Sequence, residues 1–146
     1  MTEIRNLKFF VVDDDKMFSH FLKKELEKLG VEDVKLFAYG IDCINNIEEE
    51  PDIILLDYNL NYMNGGEVLC KIMRHNPDIA VIVISDQNKI SVAVDIIKQG
   101  AFDYLVKSDD LVDGLKTSIN KFIKLRNLLI DSDSGFISRI LNRFRK

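Results

Sequence analysis

Ile53-Ile54-Leu55-Leu56-Asp57 is a short apolar run closed by a single acid, and three other stretches of the chain repeat the form. Phe9-Phe10-Val11-Val12 runs into Asp13-Asp14-Asp15, Ala80 to Ile84 into Ser85, and Tyr104-Leu105-Val106 into Lys107. Short apolar runs without polar alternation read as strands buried on both faces, the habit of parallel sheets. In open α/β sheets the functional crevice lies beyond the carboxyl ends of the strands. The pattern therefore predicts that carboxylates, a hydroxyl and an ammonium meet at one edge.

Helical spacing fills the intervals. Phe18, Phe21, Leu22, Leu26 and Leu29 form one apolar stripe, stopped at Gly30. Val34 to Ala38 reads as a second strand, and Ile41, Ile44 and Ile47 as a short helix ending before Pro51. Asn64-Gly65-Gly66 opens a helix carrying Val68, Leu69, Ile72 and Met73, with Pro77 beyond its end. Ile90, Ala93, Val94 and Ile97 mark a fourth helix stopped at Gly100, Asp103 to Val106 is the fifth strand, and Leu111, Leu115, Phe122 and Ile123 mark a long fifth helix. Five alternating β/α units predict an α/β fold with helices on both faces of a parallel sheet, because parallel neighbours need right-handed crossovers.

A chain of 146 residues that is 47% hydrophobic can build one domain with a sizeable core. Its net charge of -4 gives no sign of general nucleic-acid binding and leaves an acidic site free to recruit a cation. Cys43 and Cys70 lack metal-ligand spacing and read as reduced, partly buried packing residues. His20 and His75 have no paired ligand nearby in sequence and read as structural or solvent-facing. The first apolar run is stopped by three acids, so neither a signal peptide nor a membrane span is expected, and the expected location is cytoplasmic.

The residues at the strand ends suit phosphoryl transfer, which needs an in-line nucleophile, a divalent metal and fixed positive charge. Two carboxylates about 4 Å apart repel by roughly 4 kcal/mol at an effective dielectric near 20. Clustered Asp13, Asp14 and Asp57 therefore call for counter-charge, which Mg²⁺ and Lys107 would supply. Asp57, the lone acid closing the central strand, is the candidate nucleophile, forming an acyl phosphate. Ser85 is placed to donate a hydrogen bond to the phosphoryl group and Lys107 to pair with it.

On these residues, roughly from 5 to 126, the chain resembles a bacterial two-component response-regulator receiver domain of the chemotaxis-regulator kind. The family's acidic pair matches Asp13 and Asp14, its phospho-acceptor Asp57, its Thr/Ser Ser85, its Lys Lys107 and its switch aromatic Tyr104. The loop Met63-Asn64-Gly65 is similar to the family's turn after strand three. The resemblance implies a flavodoxin-like, doubly wound, five-stranded parallel sheet of order 2-1-3-4-5 with five helices. It also implies Mg²⁺ held by an acid of the pair, by Asp57 and by the backbone carbonyl of Asn59. The implied function is a phosphorelay switch that accepts a phosphoryl group on Asp57 from a sensor histidine kinase or phosphotransfer protein. Output would be a changed surface around helix four, strand five and helix five, read by a downstream protein target. Such a protein catalyses only its own phosphorylation and dephosphorylation. Receivers commonly carry Pro at the positions of Asn61 and Ser108, and a small residue at that of Asp86. Asp86 is expected to tune phosphotransfer or acyl-phosphate lifetime through charge and hindrance; unchanged rates in Asp86→Ala would remove that expectation.

Blander readings stand beside these. Asp13-Asp14-Asp15 alone suits a helix cap, and Tyr104 alone suits a packed aromatic. Asp13-x-Asp15 also resembles, poorly, the motif of haloacid-dehalogenase-like Mg²⁺ phosphohydrolases, with Met17 where that family expects Thr or Val. A third reading is an unphosphorylated receiver-like binding module. The polar stretch Asp131-Ser132-Asp133-Ser134-Gly135 separates a domain at 1–126 from a linker and short basic amphipathic C-terminal helix within 127–146. Phe136, Ile137, Ile140, Leu141 and Phe144 give that helix its apolar side. Three readings compete: packing on the domain or on a second copy as a homodimer, docking on a partner or membrane surface, or the opening of an output region; the first is preferred, because so short a helix is marginal alone. It is too short for a helix-turn-helix unit, so no direct DNA binding is expected.

Overall fold

The computed structural model describes residues 1–131. Along the chain run β1 (Lys8–Val12), α1 (Lys16–Lys28), β2 (Asp33–Phe37), α2 (Gly40–Asn45), β3 (Ile53–Asp57), α3 (Gly65–His75), β4 (Ala80–Ser85), α4 (Ile90–Lys98), β5 (Asp103–Val106) and α5 (Leu111–Asp131). The strands form one parallel sheet in the order β2-β1-β3-β4-β5. This is the flavodoxin-like arrangement that the alternation and the resemblance together led one to expect.

The runs lack polar alternation because both faces of the sheet are covered. Successive strand residues point to opposite sides. Phe10, Val12, Ile54, Leu56, Val81 and Val83 pack with Cys43, Val68, Leu69, Ile72 and Ile96 of α2, α3 and α4. Phe9, Val11, Ile53, Leu55, Ile82 and Ile84 pack with Leu22, Leu26, Leu115 and Ile119 of α1 and α5. Full burial of each large aliphatic side chain contributes about 1.5–3 kcal/mol, so the two layers hold the three inner strands rigidly. Edge strand β2 has one face only half covered and alternates in exposure.

Local signals set the helix ends. Asp15 caps α1, its carboxylate accepting from the Phe18 amide at 3.1 Å. Gly30, at φ 103°, closes the same helix: the Gly30 amide donates to the Glu27 carbonyl and the Val31 amide to that of Leu26. Asn64 caps α3 by accepting from the Glu67 amide at 2.9 Å.

Several details differ from the sequence reading. β3 and β4 each extend one residue further, so Asp57 and Ser85 lie inside the ladder, registered against Ile84 and Val106. β2 starts one residue earlier and ends at Phe37. α5 continues through 127–131, residues expected in the linker. The reason is anchorage: Arg126 pairs with Asp52 at 2.5 Å, and Asn127 Oδ1 accepts from the Thr2 amide at 2.6 Å. The amphipathic helix expected in the tail lies outside the described residues. Cys43 is buried, which pushes its thiol up to about 12, whereas Cys70 is exposed rather than partly buried. His20 and His75 are exposed. Among the described residues no helix is long and apolar enough to cross a membrane.

Candidate functional site

The carboxyl ends of β1, β3, β4 and β5 bring the expected residues to one edge of the sheet. Asp13 prolongs β1, its amide donating to the Phe37 carbonyl at 3.0 Å, and the residue is 3% exposed. Its Oδ1 accepts from the Asp15 amide at 2.8 Å. Asp57 is equally buried, and its Oδ1 accepts from the Asn59 amide at 3.2 Å. One carboxylate oxygen from each of Asp13, Asp14 and Asp57 lies within 4.8 Å of the others. Asp15, the third acid of the run, is turned away to cap α1. That placement counts against the phosphohydrolase reading, which needs Asp15 in the site.

Lys107 faces the cluster. Its Nζ stands 3.5 Å from Asp13 Oδ2 and 3.6 Å from Asp57 Oδ1. The Phe18 ring, with its centroid 4.4 Å from Nζ, offers a cation–π contact, and the Lys107 amide donates to the Ser85 carbonyl at 2.8 Å. The peptide bond to Ser108 is trans, as expected with no proline there.

Burial and mutual repulsion shape the electrostatics. Desolvation pushes Asp13 up to about 6; Asp57 and Asp14 add to the rise, while the Asp15 amide and Lys107 oppose it. Asp57 is raised for the same leading reason, burial, with Asp14 adding and the Asn59 amide and Lys107 opposing. Burial alone would lower Lys107, but the combined pull of Asp13, Asp57 and Asp86 outweighs it and holds the ammonium above its ordinary value. One ammonium thus faces three acids, a donor set of carboxylate oxygens that suits a hard divalent cation.

Ser85 is fully buried, its Oγ accepting from the Gln87 amide at 3.1 Å. Tyr104 is half-buried, and its hydroxyl donates to the Gln87 carbonyl at 2.8 Å. The Gln87 backbone therefore joins the two. Asp86 is exposed, next to Ser85 in the chain. Sequence reasoning missed Phe18 and Gln87 as site residues, and treated Asn61 only as a missing proline. Asn61 Nδ2 donates to Asp14 Oδ2 at 2.6 Å. Neither Phe18, which sits in a helical apolar stripe, nor Gln87, which acts through its backbone, carries a side-chain signal for this role.

This fold and this strand-end constellation define a signalling receiver domain, and the chain belongs to that family: the family model "Response regulator receiver domain" matches residues 9–119. Among relatives, it is 33% identical over 102 residues to the chemotaxis protein CheY of Listeria monocytogenes, covering 69% of this chain and 86% of that protein. It is 31% identical over 127 residues to the regulatory protein LuxO of Vibrio vulnificus, covering 86% of this chain but 28% of LuxO. The chain thus matches just over a quarter of that regulator's length. A solved response regulator receiver domain protein from Clostridium thermocellum superposes with a TM-score of 0.76 at 26% identity, covering 84% of this chain and 98% of that one. The receiver domain of the Francisella response regulator 1452 does so with a TM-score of 0.74 at 28% identity, covering 83% and 99%.

Proposed function

We propose that this receiver accepts a phosphoryl group on Asp57 from a sensor histidine kinase or phosphotransfer protein, in a Mg²⁺-dependent reaction. The observation that carries the reading is the cluster of Asp13, Asp14 and Asp57 oxygens within 4.8 Å, faced by Lys107. Three acids beside one ammonium leave an excess of negative charge, and their oxygen donors fit Mg²⁺. Asp13, Asp14, Asp57 and the backbone carbonyl of Asn59 would hold it. Bound Mg²⁺ supplies the charge that lets phosphoryl oxygens approach the carboxylates.

In the transfer, an Asp57 carboxylate oxygen attacks the phosphorus of a phosphohistidine. The O–P bond forms, the P–N bond breaks, and the imidazole leaves and takes up a proton. Lys107 pairs with the phosphoryl group and Ser85 donates to it. Moving the Ser85 hydroxyl disturbs its bond from the Gln87 amide, and so the carbonyl that holds Tyr104. Tyr104 repacks, the face around α4, β5 and α5 changes, and a downstream protein reads it. Asp86, at the rim, tunes the rates. The protein acts on no substrate but itself, and it works in the cytoplasm.

The test is intact-mass analysis after incubation with a small-molecule phosphodonor, comparing wild type with Asp57→Ala, with and without Mg²⁺. One added phosphoryl group requiring both Asp57 and Mg²⁺ is expected. No adduct on a folded wild type would turn the reading to a receiver-shaped binding module.

A further inference from the structure

The loop after β3 is tied to the acidic cluster by a bond that the phosphorelay reading leaves unused. Asn61 Nδ2 donates to Asp14 Oδ2 at 2.6 Å, joining two loops 47 residues apart in sequence. The backbone around Asn61 is tightly held. The Met63 amide donates to the Asn61 carbonyl at 2.8 Å, and between them Tyr62 stands at φ 67°, a left-handed conformation that a bulky aromatic residue rarely adopts. Tyr62 is 96% exposed, yet its ring meets that of Tyr39, in the loop between β2 and α2, at 6.0 Å between centroids. The Gly65 amide, donating to the Tyr58 carbonyl at 3.0 Å, closes the loop base. These contacts deliver the Asn61 amide to Asp14.

Asp14 needs such a partner more than its neighbours do. The Asp13 and Asp57 carboxylates each accept a backbone amide and each face Lys107. Among the described residues, the Asn61 amide is the hydrogen-bond donor to the Asp14 side chain. That bond occupies one lone pair of Oδ2 and leaves Oδ1 and the second lone pair for a cation. The proline common at this position in receivers has no side-chain donor, so the tie comes from this chain's own sequence.

We propose that Asn61 is a positioning residue that fixes the Asp14 carboxylate and biases the site toward a small cation with strict geometry. The inference rests on the Mg²⁺ site of the phosphorelay reading. Mg²⁺ demands near-ideal octahedral geometry, whereas Ca²⁺ accepts irregular ligands, so loosening one carboxylate weakens Mg²⁺ more than Ca²⁺. Groups that hydrogen-bond to metal ligands alter affinity by about 10–100-fold. Because Asn61 is exposed, the lower end is expected.

The experiment is calorimetric titration of the full chain with Mg²⁺ and, separately, with Ca²⁺, for wild type and Asn61→Ala. Asn61→Leu, similar in bulk but without a donor, repeats it should Ala loosen the loop. The expected result is a roughly tenfold loss for Mg²⁺ with a smaller loss for Ca²⁺, in a protein whose metal-free unfolding is little changed. Unchanged Mg²⁺ affinity, or equal losses for both ions, would overturn the proposal while leaving the phosphorelay reading intact. A wild type that binds no Mg²⁺ would sink both.

Discussion

Asp13→Asn should make the metal-free protein more stable at neutral pH, although it removes an ion-pairing partner of Lys107. Burial, with the neighbouring Asp57 and Asp14 adding, pushes Asp13 up to about 6 from an ordinary 3.8. One unit corresponds to about 1.36 kcal/mol, so holding Asp13 ionised at neutral pH costs the fold about 3 kcal/mol. That figure already includes the attraction of Lys107. Asparagine keeps the acceptor for the Asp15 amide, 2.8 Å away, but turns an NH₂ toward Lys107 Nζ, now 3.5 Å from Oδ2. An unsatisfied contact of that kind costs about 1 kcal/mol or more, leaving a net gain of roughly 1–2 kcal/mol. For a chain of this size that is a rise of about 2–8 °C in Tm. The sign follows from linkage: the folded state binds the Asp13 proton more tightly, so wild type loses stability as pH rises from 3.8 to about 6. The advantage of the Asn variant should therefore exist above that window and vanish below it. Saturating Mg²⁺ should reverse the order, because binding at a hundredfold excess over Kd stabilises wild type by about 2.7 kcal/mol. Urea and thermal unfolding on both sides of the window, with chelator or Mg²⁺, test this. An Asn variant no more stable at neutral pH without metal, or equally favoured at both pH values, refutes the reasoning.

Two further substitutions probe how the site is held. Gly65→Ala puts a Cβ 2.7 Å from Tyr58 Cα and 2.8 Å from the Asp57 carbonyl, both backbone atoms that cannot swing aside; chemical unfolding should show a loss of about 1–3 kcal/mol, and phosphoryl uptake measured by intact mass should fall. Tyr104→Phe removes the 2.8 Å bond to the Gln87 carbonyl; unfolding should show a loss of about 0.5–1.5 kcal/mol, with phosphoryl uptake unchanged, and a larger loss or failed uptake would mean that Tyr104 does more than hold that carbonyl.

The inner strands were legible because full burial on both faces removes polar residues from Phe9 to Val12, Ile53 to Leu56 and Ala80 to Ile84. The acids and Ser85 were legible because each ends such a run, Lys107 because it closes the half-buried apolar run of edge strand β5, and parallel pairing places all those ends together. Exact ends were harder to read. Asp57 and Ser85 look like the first polar residues after a strand, yet the ladder takes them in. β2 blurred because an edge strand with one half-covered face tolerates charges along its length. The end of α5 stayed open in the sequence because Arg126 and Asn127 look solvated until their partners Asp52 and Thr2, far away in sequence, are in place. Phe18 and Gln87 escaped notice, and Asn61 showed only as a missing proline, for a shared reason: their roles depend on loop paths, which side-chain periodicity does not encode. Cys70 follows the period after all, since the buried stripe of α3 runs through Val68, Leu69 and Ile72 and leaves it outside.

The energies of these contacts indicate what can drive a switch at this site. Moving a two-state equilibrium from 1:99 to 99:1 takes about 5.5 kcal/mol. The bonds joining Ser85 to Gln87 and Gln87 to Tyr104 are each worth about 1 kcal/mol net, so remaking both falls well short. Charge is the larger reserve. An ammonium and an anion about 4 Å apart attract by roughly 4 kcal/mol at an effective dielectric near 20, and Lys107 already divides itself between Asp13 and Asp57 at nearly equal distances. On the proposed function, a phosphoryl group on Asp57 would offer Lys107 a stronger partner and would free Asp13 to hold a metal. The driving step of the proposed switch would then be the redistribution of Lys107, with Ser85, the Gln87 backbone and Tyr104 following through their hydrogen bonds. On that ordering, losing the Tyr104 hydroxyl shifts the balance by only about fivefold, the equivalent of about 1 kcal/mol, whereas neutralising Lys107 removes the drive itself.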